Sequence, residues 1–374
     1  MIKILHTSDI DLGATPLFTP DFSEKHHQHR LATFNALIDL ALERQVDLFV
    51  VLDHLFFDAN PDSEWFKAVE LGLLRLEEKG IGVLLYRGYP DDGGQQGIDC
   101  LERYYVSQNR SAPVELVVGA ETVHLHLLHL PLSSETTSAS TVPSESPVSY
   151  HIGVLLKAVS GENCSNPYYD FLIHHKELIQ VLNYHYVAVG NRYPSELVDD
   201  GKVLAFCPGS PQAIDFTEKG PRYCALVTLD QQRVEVEKVE MQQSLFDHAR
   251  IDISGCSDEK DICAAVVALA QEDLVLQVEL VGPIEYPLTL SRIVSQCRNM
   301  FTYLDIVDHT SLLNSRYVKS MAKENTVRGK LAQIFMAKNQ STNDVDQQRI
   351  YELALRDILQ RFNAVQGQNS GAEL

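Results

Sequence analysis

The sequence predicts an α/β protein, and three observations carry the prediction. The first is the opening strand Ile2-Lys3-Ile4-Leu5-His6-Thr7-Ser8, which runs into Asp9-Ile10-Asp11-Leu12-Gly13. An apolar run that breaks into small polar residues and a glycine is a buried strand delivering two carboxylates to a loop. The second is a similar strand, Val46 to Leu52, which ends in Asp53-His54 and is followed by Asp58. The third is the strand–helix–strand–helix–strand alternation over residues 2 to 86, the pattern of an α/β sheet. Two strands ending in Asp and His side by side build a metal or phosphate site at a sheet edge. For either stretch alone, ordinary loop polars are the alternative.

The elements follow in order. Asp21 to Arg44 carries Leu31, Phe34, Leu37, Ile38 and Ala41 at helical spacing, hence an amphipathic helix. Its first turns hold His26, His27 and His29, which read as solvated. After the turn Asp58 to Asp62 comes a helix from Glu64 to Lys79, then a strand from Ile81 to Tyr86 and the loop-forming cluster Arg87 to Gly94. Val123 to Leu127 alternates, so His124 and His126 share a strand face; they read as half-exposed strand histidines, with a metal pair as the alternative. Residues 132–149 are Ser/Thr/Pro/Glu-rich and read as a mobile loop. A strand from His151 to Leu156 ends at Lys157, a helix spans Tyr169 to Leu182, and a strand from Tyr186 to Gly190 leads into Asn191-Arg192-Tyr193. Tyr184, His185 and Tyr186 read as packing at a strand entry, and Glu218-Lys219-Gly220 as a turn. The expected domains are 1–242, a small α/β unit over 250–310, helices over 316–363 and a polar tail over 364–374.

Composition narrows the function classes. The chain has 374 residues, 45% apolar and 22% charged, and no apolar run near 18 residues, so no membrane span is expected. Met1 leads into a core-like strand without a basic segment or cleavage site, so no signal peptide is expected. Seven scattered cysteines, with no Cys-x-x-Cys, argue for a reducing, cytoplasmic setting. The net charge of −20 repels DNA phosphates unless basic residues concentrate on one face.

Six segments in order resemble the calcineurin-like metallophosphoesterases, specifically their SbcD/YhaO-type DNA repair exonuclease branch. They are Asp9-Ile10-Asp11-Leu12-Gly13, Asp53-His54-Leu55-Phe56-Phe57-Asp58, Gly88-Tyr89-Pro90-Asp91, Val154-Leu155-Leu156-Lys157, Gly190-Asn191-Arg192-Tyr193 and Pro208-Gly209-Ser210. Each motif is degraded, and their common order makes the match. The resemblance covers residues 1 to about 230 and implies a four-layer α/β/β/α sandwich with a small α/β capping domain and C-terminal helices. It also implies two divalent metals that clamp a phosphodiester. Of the seven ligand positions only Asp9 is kept. The Asp-x-His histidine is Asp11, and the bridging Asp aligns to His54, or to Asp53 after a one-residue slip. The Asn ligand is Tyr89, the neighbouring catalytic His is Pro90, and three late histidines are Lys157, Asn191 and Tyr193. An ammonium has no lone pair with which to ligate a cation.

The resemblance therefore implies a catalytically inactive scaffold with no cofactor, serving an SMC-like ATPase (SbcC or YhaN type) in DNA repair or anti-phage defence. DNA would be reached only through the complex, and a homodimer is possible as in relatives. The alternative is a rewired hydrolase in which Asp9, Asp11, Asp53 or His54, and Asp91 hold one Mg²⁺ or Mn²⁺. In the first reading Lys157, helped by Arg192 or Arg87, neutralises Asp9 and Asp11. The docking stripe for the ATPase comprises Leu331, Ile334, Phe335, Leu355, Ile358 and Phe362, at helical spacing in the C-terminal segment.

Overall fold

The computed structural model describes residues 1–15, 20–57, 62–86, 101–106, 112–119, 121–128, 149–155, 184–199, 202–230, 233–313 and 315–369. They fall into two compact units, 1–245 and 246–374. The first unit begins β1 (Ile2–Ser8), α1 (Pro20–Arg44), β2 (Leu48–Leu52), α2 (Ser63–Glu77), β3 (Gly82–Tyr86) and β4 (Tyr105–Val106). It continues through β5 (Val114–Val118), β6 (Glu121–Leu128), β7 (Ser149–Leu155) and β8 (Tyr186–Val189). The last four strands of the unit are β9 (Ser195–Asp199), β10 (Lys202–Cys207), β11 (Tyr223–Leu229) and β12 (Val234–Glu240).

These strands form two six-stranded sheets, β12-β11-β1-β2-β3-β4 and β5-β6-β7-β8-β10-β9. In the first, β1, β2, β3 and β4 pair in parallel and β11 pairs antiparallel to β1. The strands β1 and β2 read as nearly continuous apolar runs because both faces are covered. One face carries Ile2, Ile4, Leu48 and Val50 into a core shared with Val123, Leu125, Tyr150, Ile152 and Tyr186 of the second sheet. The other carries Leu5, Phe49 and Val51 against Phe34, Leu37 and Ile38 of α1 and Val69, Leu73 and Leu76 of α2. Each such side chain contributes about 1.5–3 kcal/mol when fully buried. Across the sandwich, His6 Nδ1 meets the Tyr186 hydroxyl at 3.0 Å, and burial holds the His6 pKa down to about 3. Two sheets face to face with helices outside the first make three layers, α/β/β, in the described residues of this unit. The helix expected over Tyr169 to Leu182 lies outside the described residues.

The histidines at the start of α1 correct the sequence reading. His26 is fully buried, with Nδ1 3.2 Å from the Ala14 carbonyl and Nε2 2.9 Å from that of Ala213. His27 packs edge-on against Trp65. The physical reason is helical phase: His26 and Arg30 precede Phe34 at four-residue steps and continue its inward stripe.

The second unit has a three-stranded sheet of β13 (Leu245–Asp252), β14 (Leu274–Pro283) and β15 (Tyr303–Ser311). Its helices are α3 (Glu259–Val267), α4 (Leu290–Cys297), α5 (Arg316–Met321), α6 (Val327–Gln340) and α7 (Val345–Asn369). In α7, Glu352 accepts the backbone N–H groups of Leu312 and Leu313, and Arg356 pairs with Asp308 and bonds Thr310. Leu355 is buried with Leu359, so it is a core position and leaves the expected docking stripe. Ile334 is exposed; Leu331, Phe335, Ile358 and Phe362 are half-buried. No helix among the described residues is long and apolar enough to cross a membrane.

The crossing of α1 and α2 depends on Gly72: a Cβ there would stand 2.9 Å from Phe34 and 3.1 Å from Ile38. Gly72→Val should therefore lower stability by about 1–3 kcal/mol through overpacking. Urea unfolding should show a lower midpoint at unchanged slope. An unchanged midpoint would mean that the helices do not approach this closely.

Candidate functional site

The pairing of β1 with β2 continues past the ends of both strands. Asp9 N–H donates to Leu52 O at 3.1 Å, Asp11 N–H to His54 O at 3.1 Å, and Leu12 N–H to Leu55 O at 3.0 Å. The two loops thus run side by side beyond the carboxyl edge of the sheet. Asp9, Asp11 and Asp53 have φ of +45°, +50° and +64°. That left-handed region is one that aspartate enters more readily than most residues. These turns gather Asp9, Asp11 and His54, one potential ligand atom from each lying within 4.8 Å of the others.

Nitrogen donors already meet the carboxylates. Asp9 lies 3.2 Å from His54 Nδ1 and accepts the Ser8 hydroxyl at 2.7 Å. Asp53 Oδ1 lies 3.8 Å from the same nitrogen. Asp11 pairs with Arg192 at 2.9 Å. Arg192 also stands 3.6 Å from Glu218, whose other oxygen pairs with Arg222 at 3.0 Å. Arg30, fully buried, donates to the carbonyls of Ile10, Asp11 and Gln212. The Arg192 backbone is fixed from below: its carbonyl accepts Ser210 N–H and a guanidinium N–H of Arg222. Gly209, at φ +78°, makes that approach possible, since a Cβ would meet the Arg192 carbonyl and Pro194 at 3.0 Å.

The electrostatics follow from this arrangement. Burial, then the charge of Asp9, raises the Asp11 pKa, while Arg192, Arg30 and His54 pull against the rise. Burial likewise raises Glu218 against the pull of Arg222. The hydrogen bond to Asp9 is the main cause that lifts His54 to about 9, overcoming its partial burial, with Asp53 adding to the lift. Four carboxylates (Asp9, Asp11, Asp53, Glu218) thus face three guanidiniums and one imidazolium, so the cluster is close to neutral without any added ion.

Of the expected positions, Asp9, Asp11, Asp53 and His54 come together. Asn191 adjoins them, its N–H donating to Ser8 Oγ at 2.8 Å. Tyr193 does not join: its hydroxyl meets Thr217 at 3.2 Å on the exposed side. Tyr89, Pro90, Asp91 and Lys157, with Asp58 and Arg87, lie outside the described residues. The sequence reading does not place Arg30, Arg222 or Glu218 in the site. Arg30 had a signal, a charge within an apolar helical stripe; Glu218, read as an ordinary turn residue, is 1% exposed and belongs to the network.

Among the described donors, protein cations already meet the carboxylates that a two-metal centre would use. Arg192 donates to Asp11 Oδ2 at 2.9 Å, and the Asn191 carboxamide oxygen lies 3.4 Å from Tyr193 N–H. The other end of that amide, Nδ2, is buried without a hydrogen-bond partner among the described residues.

No protein-family model matches the chain. It is 24% identical over 286 residues to the DNA double-strand break repair protein Mre11 of Haloferax volcanii, a match covering 75% of this chain and 62% of that protein. The chain thus aligns with about three fifths of the length of that relative. Two solved chains overlay at TM-scores of 0.35 and 0.31, with 12% and 8% identity, over 63% and 64% of this chain. The overlays cover 98% and 100% of those chains, and the second is described as a novel archaeal phosphodiesterase.

Two outcomes test the geometry. Arg192→Met should cost about 3–5 kcal/mol, because it strands Asp11 in the interior. Adding Asp11→Asn should restore much of the loss, and strictly additive effects in the double-mutant cycle would contradict the pairing. The second outcome is a pH dependence. The His54 pKa is raised from 6.5 to about 9 in the folded chain, so its contribution is complete below 6.5 and is lost as pH rises through 9. The stability difference between the native chain and His54→Asn should therefore shrink over that window; a difference constant across it would refute the Asp9–His54 pair.

Proposed function

We propose that the chain is a catalytically inactive member of the calcineurin-like metallophosphoesterases, in their nuclease-type branch: a scaffold subunit for an SMC-like ATPase in DNA repair or DNA defence. The observation that carries the reading is the occupation of the carboxylate site by the chain's own cations, Arg192 on Asp11 and His54 on Asp9. A guanidinium and an imidazolium neutralise these carboxylates but supply neither the metal-bound hydroxide nor the Lewis acid that phosphodiester cleavage in this family needs. The sequence match to a double-strand break repair protein supports the DNA setting. The net charge of −20 supports contact with DNA through the complex rather than by this chain alone.

One observation favours the alternative of a single-metal phosphodiesterase: the compact triad of Asp9, Asp11 and His54. A hard ion such as Mg²⁺ or Mn²⁺ would suit the two carboxylates. It would have to displace Arg192 from Asp11 and a proton from His54.

Two experiments test the proposal. The purified chain should cleave neither single- nor double-stranded DNA, in Mg²⁺ or Mn²⁺, above an Asp9→Ala control. Cleavage that this change removes would establish the alternative. For the scaffold role, Ile358→Asp with Phe362→Asp should abolish co-purification of the ATPase and leave the urea transition of residues 1–240 in place. Retained co-purification, or loss of the fold, would place that face in the chain's own packing.

A further inference from the structure

Outside the carboxylate network, four imidazoles gather on one face of the second sheet. Val123, Leu125, Tyr150 and Ile152 point into the core between the sheets, so the alternating residues of β6 and β7 line the opposite face. There His124 stands opposite His151 across the parallel pair, and His126 stands opposite Gly153. Gly153 has no side chain, and the His126 ring reaches diagonally to His151, its Nε2 lying 3.0 Å from His151 Nδ1. His124 stacks on His151 with centroids 4.7 Å apart and planes 9° from parallel. On the other side, His185 Nδ1 accepts the backbone N–H of His151 at 3.0 Å, which fixes that nitrogen as a lone-pair acceptor. His151 is thus held in place by its neighbours on both sides.

Two ring nitrogens this close share either a proton or a metal ion. With metal–nitrogen bonds of about 2.0–2.1 Å, a 3.0 Å separation corresponds to a coordination angle of about 95°, suited to adjacent ligands on one ion. We propose that His126 Nε2 and His151 Nδ1 form a two-ligand site for an imidazole-seeking divalent ion, Zn²⁺, Ni²⁺ or Cu²⁺, which clips β6 to β7. Imidazole favours these ions, whereas Mg²⁺ and Mn²⁺ prefer oxygen. Burial lowers the pKa of His126, and lowers that of His151 to about 4, so both rings are neutral near pH 7. The ligating tautomers carry their protons on His126 Nδ1 and His151 Nε2. The hydrogen in the present bond relocates within its own ring, and binding to the neutral rings releases no proton. His124 and His185 orient His151 rather than ligate. The site is independent of the proposed function.

The test is calorimetric titration of the untagged full-length chain with Zn²⁺ and Ni²⁺ near neutral pH, with Mg²⁺ as a comparison. One equivalent of Zn²⁺ or Ni²⁺ should bind and raise Tm, and Mg²⁺ should not compete. His126→Ala and His151→Ala should each weaken Zn²⁺ binding by roughly tenfold or more. His54→Asn, which alters the carboxylate cluster, should leave it unchanged. Because His126 is only half-buried, its variant carries the test should His151→Ala fail to fold. Absence of binding, binding unaffected by His126→Ala, or loss of binding in His54→Asn would each overturn the assignment.

Discussion

The buried pairing of Asp11 with Arg192 organises the carboxyl edge of the first sheet. Around it Asp9, Asp53 and Glu218, all nearly inaccessible, oppose Arg30, Arg222 and His54. An uncompensated carboxylate in such surroundings costs several kcal/mol, so a chain that keeps these acids must set cations among them. The backbone serves the same requirement. Left-handed turns at Asp9 and Asp11 present the carboxylates, and Gly209 lets the loop around Ser210 close under the Arg192 carbonyl.

Such a network is weak evidence for added stability, since buried ion pairs often only recover what desolvation costs. Its consequence is chemical. The same carboxylates that would hold metals meet nitrogen donors instead, His54 at Asp9 and Arg192 at Asp11.

The strand ends were legible in the sequence because their information is local. An apolar run breaking at Asp9, and another at Asp53-His54, can be read within a dozen residues. The sandwich followed from the order of motifs that no single motif would have supported. What escaped was set by distant pairing. Glu218 read as a turn residue because nothing near it announces Arg222 and Arg192. His26 read as solvated because the apolar stripe was begun at Leu31, although His26 and Arg30 continue the phase of Phe34. His124 and His126 were visible as a strand pair, but His151 joins them only through the β6–β7 register, which no local pattern encodes. In the second unit the helical stripe was visible, but not that Glu352 and Arg356 would fasten α7 to the end of β15 and draw Leu355 into the core.

The central claim is that protein cations, not metal ions, neutralise Asp9 and Asp11. The most direct measurement is side-chain ¹⁵N NMR of His54 and Arg192 near neutral pH, during titration with paramagnetic Mn²⁺. The account predicts a doubly protonated His54 ring and an Arg192 guanidinium whose signals keep their positions and widths as Mn²⁺ is added. Selective broadening of both at substoichiometric Mn²⁺, with loss of the imidazolium signal, would show that a metal displaces them and would contradict the account.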